Sequence, residues 1–359
     1  MQRNDLNILY SCHFNIEILS GKSRATNQKL KALKKYCKNL KINCPKSIKK
    51  PLVVFEVLFI IELKNIFFLF LNKPQVFISR GYTGILSTLI AKFLGILVVR
   101  EIHAHEIEEI ELSNENFLKK KIRLLFAFYS HRVDIFSNLR IFNHPALASF
   151  YRARFSTPDT DFYSYNGYDK DSLSSNSKND ARKTFGLKET CKYIVFTGAA
   201  SIWHGVHYLV PIQEELNKLT NDIKIICGGG SIDKNIDPNK LLSSFSPLNA
   251  KGCADLISAS DLTILPVNNI RVSPGSPLKM YDYFLAKKVV ICPSKIDGYF
   301  DECSKYGKYI EIDFSQPRLA AEKIISGINN KLTLSNYDQF SWDYRMKCWI
   351  DNIASRLDN

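Results

Sequence analysis

The sequence predicts an α/β protein made of two doubly wound units, each a parallel sheet with helices on its faces. Short apolar runs of the kind found in buried strands alternate with helical stretches along the chain. With 359 residues the chain exceeds one ordinary domain. The stretch from Ser156 to Asn179 is rich in Ser, Asp, Asn and Tyr and separates two such series, which indicates a linker.

The first unit is defined by its alternating apolar runs. Asn7 to Cys12 is predicted as a strand, Gly21 as a loop and Ser23 to Lys38 as a basic helix. Further strands are predicted at Val76–Ser79, Ile96–Ile102 and Val133–Ser137. Further helices are predicted in an apolar segment ending near Leu71, and at Gly84–Leu94, Phe117–Ser130 and Pro145–Arg152.

The second unit repeats the pattern of strand, loop and helix. Its apolar strands are predicted at Tyr193–Thr197, Ile223–Cys227, Leu262–Leu265 and Val289–Cys292.

Composition and charge limit the class of protein. With 45% hydrophobic and 23% charged residues the chain is typical of a folded globular protein. Its nine scattered cysteines contain no CxxC pair, which favours reduced thiols in a cytosolic compartment over a disulfide scaffold or zinc site. The net charge is +14, and residues 1–60 hold twelve Lys or Arg against three Asp or Glu. That basic end suits a nucleic acid, an anionic membrane surface or a phosphorylated substrate, or is simply a lysine-rich soluble face.

The run from Leu52 to Leu71 is long and apolar enough to raise the question of a membrane span. It contains Glu56, Glu62 and Lys64, and a charge near the bilayer centre costs about 2.5 to 3.5 kcal/mol. We therefore predict a mostly buried helix whose apolar face can also touch lipid. The polar first residues predict no secretory signal.

The segment from Ser276 to Asp282 is predicted to bind a nucleotide diphosphate. Ser276 suits an N-cap and Pro277 the first helical position, so a helix is predicted from there to about Ala286. The free N–H groups of a helix start attract phosphate, and Lys279 adds a positive charge. Asp282, one turn later, can accept hydrogen bonds from ribose hydroxyls. An ordinary capped helix with solvated Lys and Asp is the alternative.

Several segments together resemble glycosyltransferase family 4. In the second unit these are YIVFTGAASIWHGVHYLV, IKIICGGGS, ASDLTILP and SPLKMYDYFLAKKVVI. Weaker matches are FISRGYTGILSTLIAKFLGILVVREIHAHEIEE, YNGYD at 165–169 and FSWDYR at 340–345. The resemblance implies the GT-B fold, with two facing Rossmann-like domains and a C-terminal helix that crosses back to the first. It implies an N-terminal acceptor-side domain at 1–165, a linker at 166–190, a nucleotide-sugar domain at 191–335 and the crossing helix at 336–359.

The resemblance also implies a donor site in the second domain. Backbone groups from Gly198 to Gly205 would approach the phosphates, with His204 where many members have Lys. Arg271 would supply a second positive charge. Asp282 stands where the family holds the ribose with Glu, and Pro274 replaces a second Glu, so amides of Ser273 to Ser276 would hold the sugar instead. The whole donor set is Gly198, His204, Gly205, Arg271, Ser273, Gly275, Ser276, Pro277, Leu278, Lys279 and Asp282.

In the first domain the resemblance implies one catalytic histidine and an acceptor side. His103 follows a strand where the family places a histidine near the transferred sugar, and His105 is a weaker candidate. Glu106 is a candidate acceptor-side base. Gly21, Lys22 and Arg24 begin a basic helix that would contact phosphate or acceptor, or simply face solvent. A histidine at a strand end is also often satisfied by backbone alone.

We predict no metal and no cofactor. Asp159-Thr160-Asp161 forms a DxD, but it lies in the predicted linker and is interpreted as a solvated turn. The sequence has no P-loop lysine motif, GxSxG elbow or HExxH helix.

The predicted function is sugar transfer from a nucleotide diphosphate sugar to a glycan acceptor, lipid-linked, in cell-surface polysaccharide synthesis. The enzyme would be hexosyltransferase-like, metal-independent and retaining. It would be cytoplasmic, peripheral on the inner face of an anionic membrane, and would bind no nucleic acid, because its aromatic residues fall in core-like runs and not among the basic ones. A nucleotide-sugar epimerase of similar fold and a non-catalytic relative are the alternatives.

Overall fold

The computed structural model describes most of the chain and divides it into two units. The described residues are 6–18, 20–47, 55–103, 106–113, 116–155, 160–199, 204–230, 232, 235–268, 275–294, 296–328, 333, 335 and 337–358. Met1–Gly167 and Trp342–Asn359 form the first unit, and Tyr168–Ser341 form the second. All nine cysteines are free thiols.

The first unit is built on a six-stranded parallel sheet in the order β2-β1-β3-β4-β5-β6. Its strands are β1 (Asn7–Cys12), β2 (Asn39–Asn43), β3 (Val76–Arg80), β4 (Leu97–Ile102), β5 (Leu139–Phe142) and β6 (Asp161–Tyr163). Its helices are α1 (Gly21–Leu33), α2 (Glu62–Asn72), α3 (Ile85–Phe93), α4 (Glu106–Glu111), α5 (Phe117–Val133) and α6 (Pro145–Arg154), with a π-helical segment (Glu56–Ile61) leading into α2. Because β1 lies between β2 and β3, the strand order reverses direction between β1 and β3, and ligands of such sheets bind at the carboxyl ends beside that point.

The second unit has its own six-stranded parallel sheet in the order β12-β11-β10-β7-β8-β9. Its strands are β7 (Lys192–Gly198), β8 (Ile223–Gly229), β9 (Ser243–Phe245), β10 (Leu262–Ile264), β11 (Val289–Pro293) and β12 (Tyr309–Ile312). Its helices are α7 (Lys178–Thr184), α8 (Leu209–Leu219), α9 (Ala250–Ala259), α10 (Leu278–Leu285), α11 (Phe300–Tyr306) and α12 (Pro317–Gly327). Here the order reverses between β7 and β10. Residues 166–190 of the predicted linker include α7, which packs against α9.

The last helix, α13 (Trp342–Leu357), belongs to the first unit, as the crossing-helix prediction requires. It packs against α1 and buries Met346, Trp349 and Ile353. Lys35 and Asp343 form an ion pair at 2.7 Å beside this contact.

The predicted strand at Val133–Ser137 is wrong. Val133 ends α5, and the strand follows at Leu139 to Phe142. Four short strands were not predicted, among them β2 (Asn39–Asn43), an edge strand whose exposed Asn39 and Lys41 hide the strand pattern. Gly21 is the first residue of α1 and not a loop residue, because the Ser20 side chain caps the helix by accepting from Ser23 N.

The apolar segment before Leu71 is less buried than predicted. Phe59, Leu63 and Phe67 are more than half exposed, while Glu62, counted against a membrane span, is buried. The Glu62 carboxylate accepts from Ile85 N at 2.6 Å and from Ser87 N at 3.1 Å, so it caps α3. Within the described part of the chain, no helix is long and apolar enough to cross a membrane.

The interpretation of the DxD as a solvated turn is wrong for its second acid. Asp161 begins β6, and its side chain is fully buried. Its carboxylate pairs with Arg140 at 2.6 Å and with Arg152 at 2.7 Å. Asp159 lies outside the described residues. Asp161 is therefore a structural anchor of the edge strand.

One buried arginine fixes the loop after β3. Arg100 uses all five N–H donors. It donates to Asp134 Oδ1 at 2.5 Å, to Ser79 Oγ and Ser130 Oγ, and to the carbonyls of Gly81 and Thr83. This residue ties β4, the β3 loop and α5 together.

We predict that Arg100→Met destabilises the first unit by about 3 to 5 kcal/mol, because Asp134 loses its buried partner. The free energy of unfolding in urea measures this. The control is Arg318→Met, which breaks exposed ion pairs with Glu322 and Glu215 and should cost at most about 1 kcal/mol. Equal losses in the two variants would contradict the assignment of Arg100 as an anchor.

Candidate functional site

Two glycines form the carboxyl end of neighbouring strands in the second unit. Gly198 ends β7 and Gly229 ends β8, in direct register. Their φ angles are +121° and +105°, a region that favours glycine. A Cβ on Gly229 would lie 3.1 Å from Gly198 N. Neither strand therefore carries a side chain at its last residue. A ligand could approach the backbone closely there.

The ammonium group of Lys279 lies directly above this end of β7. Its Nζ is 3.2 Å from the position of a Cβ on Gly198 and 4.0 Å from the centroid of the Phe196 ring. The nitrogen is inaccessible to solvent and has no hydrogen-bond partner among the described residues. Burial lowers the pKa of Lys279 to about 7. Such a group gains strongly from an anion, which supplies the missing partner.

A tyrosine holds helix α10 over the strand end. Tyr283 is buried, and its hydroxyl accepts from Thr197 N at 2.9 Å and from Thr197 Oγ1 at 3.2 Å. This contact fixes the rotation of α10 relative to β7, and therefore the position of Lys279. Neither Tyr283 nor Phe196 was predicted, because both lie in apolar runs that look like ordinary core.

The prediction that Ser276 caps α10 is wrong. The helix begins at Leu278, with Pro277 at the N-cap position, and no side chain among the described residues caps it. Ser276 is buried and its Oγ lies 2.9 Å from the Tyr281 hydroxyl, which donates to Glu302 at 3.0 Å. Since Tyr281 gives its proton to Glu302, Ser276 donates to Tyr281. The serine thus anchors the loop, and the N–H groups at the helix start have no side-chain cap in the described part of the chain.

Close backbone contacts shape the loops on either side of Lys279. A Cβ on Gly298 would lie 2.6 Å from the carbonyl oxygen of Gly275, so the loop entering α10 is pinned there. Gly205 has φ +59°, and a Cβ on it would lie 2.7 Å from the Val267 carbonyl carbon. The loop after β7 therefore touches the loop after β10, at the point where the strand order reverses.

His204 is oriented by the backbone of the same loop. Its Nδ1 lies 2.5 Å from the Ala199 carbonyl oxygen, and since a carbonyl only accepts, Nδ1 carries the proton. Nε2 of the neutral ring is then an acceptor. This histidine can donate to a phosphate through Nε2 only when it is protonated.

Some of the remaining predicted donor residues lie in the described part of the chain, and others do not. Leu278 begins α10, and Asp282 is half-buried one turn beyond Lys279. Arg271, Ser273 and Pro274 lie outside the described residues. The structure therefore places Lys279 over Gly198, where β7 ends and α10 begins. His204 and Gly205 lie in the loop after β7, Gly275, Ser276 and Pro277 lie in the loop entering α10, and Leu278 and Asp282 lie on α10 itself.

A buried carboxylate organises the strand ends of the first unit. Glu101 of β4 accepts from Tyr10 OH at 2.8 Å and pairs with Lys29, which also donates to Tyr10 at 3.0 Å. Arg80 lies 3.6 Å away. Burial alone would raise the pKa of Glu101, but Lys29 and Arg80 hold it well below its usual range. The carboxylate is therefore ionised and fully compensated.

His103 is held by the same carboxylate. Its Nε2 donates to Glu101 Oε1, and its carbonyl oxygen accepts from Asn143 at 2.5 Å. Burial and the nearby Arg80 lower the pKa of His103 to about 3, so the ring is neutral. With the proton on Nε2, Nδ1 is an acceptor. A histidine oriented by a carboxylate in this way can accept a hydrogen bond from a hydroxyl at Nδ1, although a pKa of about 3 makes it a weak base. His105 lies outside the described residues.

A second histidine, not predicted as a site residue, follows β1. His13 Nδ1 donates to the Arg80 carbonyl at 3.2 Å, and its Nε2 accepts from Lys22 at 3.0 Å. A Cβ on Gly81, at φ +71°, would lie 1.8 Å from His13 Nδ1 and 2.9 Å from Glu106 Oε1. His13, Lys22 and Glu106 thus meet around one glycine, beside the point where the strand order reverses.

Glu106 is the acid of this group of three residues. Its Oε2 is buried without a hydrogen-bond partner in the described part of the chain. Burial raises the pKa of Glu106, although His131 and Lys22 oppose the shift. Gly21 and Arg24 lie in the first turn of α1, with Gly21 exposed and Arg24 half-buried. Among the described residues, no group of three or more His, Cys, Asp or Glu is placed to hold a metal.

Solved structures resemble this chain over almost its full length. WaaG, a glycosyltransferase involved in lipopolysaccharide biosynthesis, is 14% identical, with a TM-score of 0.62 over 98% of this chain and 95% of its own. HepE from Anabaena in complex with UDP is 11% identical, with a TM-score of 0.61 over 98% of each chain. UDP-GlcNAc 2-epimerase from Methanocaldococcus jannaschii is 14% identical, with a TM-score of 0.56 over 98% and 100%.

The comparisons and the two sheets confirm the predicted α/β class and GT-B fold. No protein-family model matches the chain, and no curated protein matches it in sequence. Membership of glycosyltransferase family 4 therefore stays a prediction.

We predict that Gly81→Ala destabilises the first unit more than Gly95→Ala does. Both glycines have similar positive φ angles, +71° and +73°, but a Cβ on Gly95 has no heavy atom within 4 Å. The control therefore carries only the backbone penalty of about 1 to 2 kcal/mol. The clash with His13 should add about 1 to 3 kcal/mol in the free energy of unfolding. Equal losses would mean that His13 is not fixed as described.

Proposed function

We propose that this chain is a glycosyltransferase that moves a sugar from a nucleoside diphosphate sugar to a glycan acceptor carried on a lipid. The observation that carries the proposal is the buried, unpartnered ammonium of Lys279 above the glycine strand ends. The GT-B fold supports it, since HepE of the same fold was solved with UDP. The alternative of an ordinary helix with a solvated lysine does not fit a solvent-inaccessible Nζ.

The chemistry of sugar transfer requires that charge be stabilised as the diphosphate leaves. Lys279 and the uncapped N–H groups at the start of α10 would neutralise it, with Gly198 allowing close approach. In the protonated state His204 would add a further donor. Asp282 would hold the ribose. These groups suffice for a transfer that needs no metal, and the retaining outcome is proposed from the family resemblance alone.

The first unit would bind and activate the acceptor. Nδ1 of His103, oriented through Glu101, would accept a hydrogen bond from a sugar hydroxyl. Glu106 is the second candidate base, because burial raises the pKa of its carboxyl above the ordinary value. Lys22 would attract an acceptor phosphate. A lipid-linked acceptor, of the kind used in lipopolysaccharide biosynthesis, would put the enzyme's work in polysaccharide synthesis at the inner face of the cell membrane.

An epimerase is the second candidate, because the epimerase of Methanocaldococcus jannaschii has the same fold. Incubation with a nucleotide sugar in the absence of acceptor distinguishes the two. An epimerase interconverts the sugar, a transferase gives only slow hydrolysis, and a non-catalytic relative gives neither and transfers nothing to membrane extract.

We predict that Lys279→Ala weakens UDP binding about ten- to a hundred-fold, since it removes a charged partner of the diphosphate. Isothermal titration calorimetry measures the affinity. The matched control is Lys218→Ala, which removes an exposed lysine of the same unit paired with Glu215. Unchanged affinity in the Lys279 variant would rule out this donor site.

We also predict that UDP binding takes up close to one proton at pH 8.5. Free Lys279 has a pKa of about 7 and is mostly neutral at that pH, whereas a bound diphosphate stabilises its charged form. Affinity should therefore fall as pH rises above 7, by up to about tenfold per unit. Binding enthalpies in buffers of different ionisation enthalpy report the uptake. If Lys279→Ala took up the same number of protons, another group would be responsible.

A further inference from the structure

Three neighbouring helices of the first unit present apolar residues to solvent. Helix α3 packs against both α2 and α5, so their outer faces are contiguous. Phe67 on α2 is 66% exposed, Phe93 on α3 is 87% exposed and Leu118 on α5 is 69% exposed. Aliphatic and aromatic side chains continue at helical spacing along each helix. We call the outer surface of α2, α3 and α5 the apolar face.

The charges on these helices have one sign at the surface. In sequence α2, α3 and α5 carry seven Lys or Arg and a single acid, Glu62. Glu62 is buried, and its carboxylate caps α3 by accepting hydrogen bonds from the backbone at the start of that helix. The cations at the surface are Lys64, Lys92, Lys119, Lys120, Lys121, Arg123 and Arg132.

Cations and rings lie side by side on α5. The Lys121 ammonium is 4.4 Å from the ring centroid of Phe117, and the Arg132 guanidinium is 4.8 Å from that of Phe128. An aromatic ring next to a long basic side chain suits the level of lipid headgroups, where the ring enters the apolar layer and the cation reaches phosphate. The neighbouring helix α4 exposes Glu109 and Glu111, but the three helices of the apolar face expose cations only. Such a basic surface is complementary to anionic lipid.

We propose that the apolar face of α2, α3 and α5 docks the protein onto a bilayer that contains anionic lipids. The proposal deepens the proposed function, since it rests on an acceptor held in a membrane. It assigns the contact to this face and not to the basic residues near the start of the chain. The first unit would lie on the bilayer with these helices parallel to it, and none of them would span it.

The test is co-sedimentation of the full chain with vesicles of phosphatidylcholine, with and without phosphatidylglycerol. An apolar variant, Phe67→Ser with Phe93→Ser, should bind both kinds of vesicle at least about tenfold more weakly, because each ring loses a buried contact. A charge variant, Lys64→Gln with Lys121→Gln, should lose about five-fold per charge on phosphatidylglycerol vesicles and nothing on phosphatidylcholine alone. The control is Leu319→Ser, an exposed apolar residue of the second unit, which should bind like wild type.

UDP affinity, measured in parallel, separates this proposal from the proposed function. An unchanged urea unfolding transition in every variant shows that each is folded. Vesicle binding by a chain that bound no UDP would support the docking surface and contradict the proposed transferase. Wild type that binds no vesicle, or an apolar variant that binds like wild type, overturns the docking surface. A concentration-dependent dimer in sedimentation velocity that the apolar variant abolishes would assign this face to a second copy and also overturn it.

Discussion

The first unit depends on the neutralisation of one buried carboxylate. Glu101 has no exposed surface, and an isolated ionised carboxylate there would be prohibitively costly. The Glu101 carboxylate contacts Lys29 from α1, Tyr10 from β1 and Arg80 from β3. The ring centroid of Trp349, on α13, lies 5.1 Å from the Lys29 ammonium. Five elements are therefore held in register by the same charge. The position of His103 follows from it as well.

The second unit contains the opposite case, a buried charge left without its partner. Folds rarely keep such a group unless another molecule completes it, because the desolvation cost is not recovered. In this unit the hydroxyl of Tyr283 and the chain Ser276–Tyr281–Glu302 fix the loops around Lys279 without neutralising it. The contrast between a compensated carboxylate and an uncompensated ammonium separates the scaffold around Glu101 from the donor site proposed at Lys279.

Much of the fold could be predicted from sequence, because parallel strands buried on both faces give continuous apolar runs such as Asn7 to Cys12. Edge strands such as β2 could not be predicted in this way, since β2 carries polar residues on its exposed side. In the candidate site, Lys279 was predictable from its place in the first turn of a helix, and Gly198 and Gly205 were implied by the family resemblance. Ser276 was assigned a cap because serine favours that position, but a long-range bond to Tyr281 claimed its hydroxyl. His13 and Gly81 were missed because no local pattern reveals that two strand ends meet.

The depressed pKa of Lys279 also links the binding site to stability. The folded-state pKa of about 7 lies below the ordinary value of 10.5, so between these limits the unfolded chain binds more protons. This lysine therefore makes the free protein more stable as pH rises through that window, and its full penalty is present below about pH 7. The diphosphate of the proposed donor would remove this penalty by supplying a partner. The contribution of Lys279 to ligand binding would therefore be greatest below about pH 7, where its contribution to the stability of the free protein is least favourable.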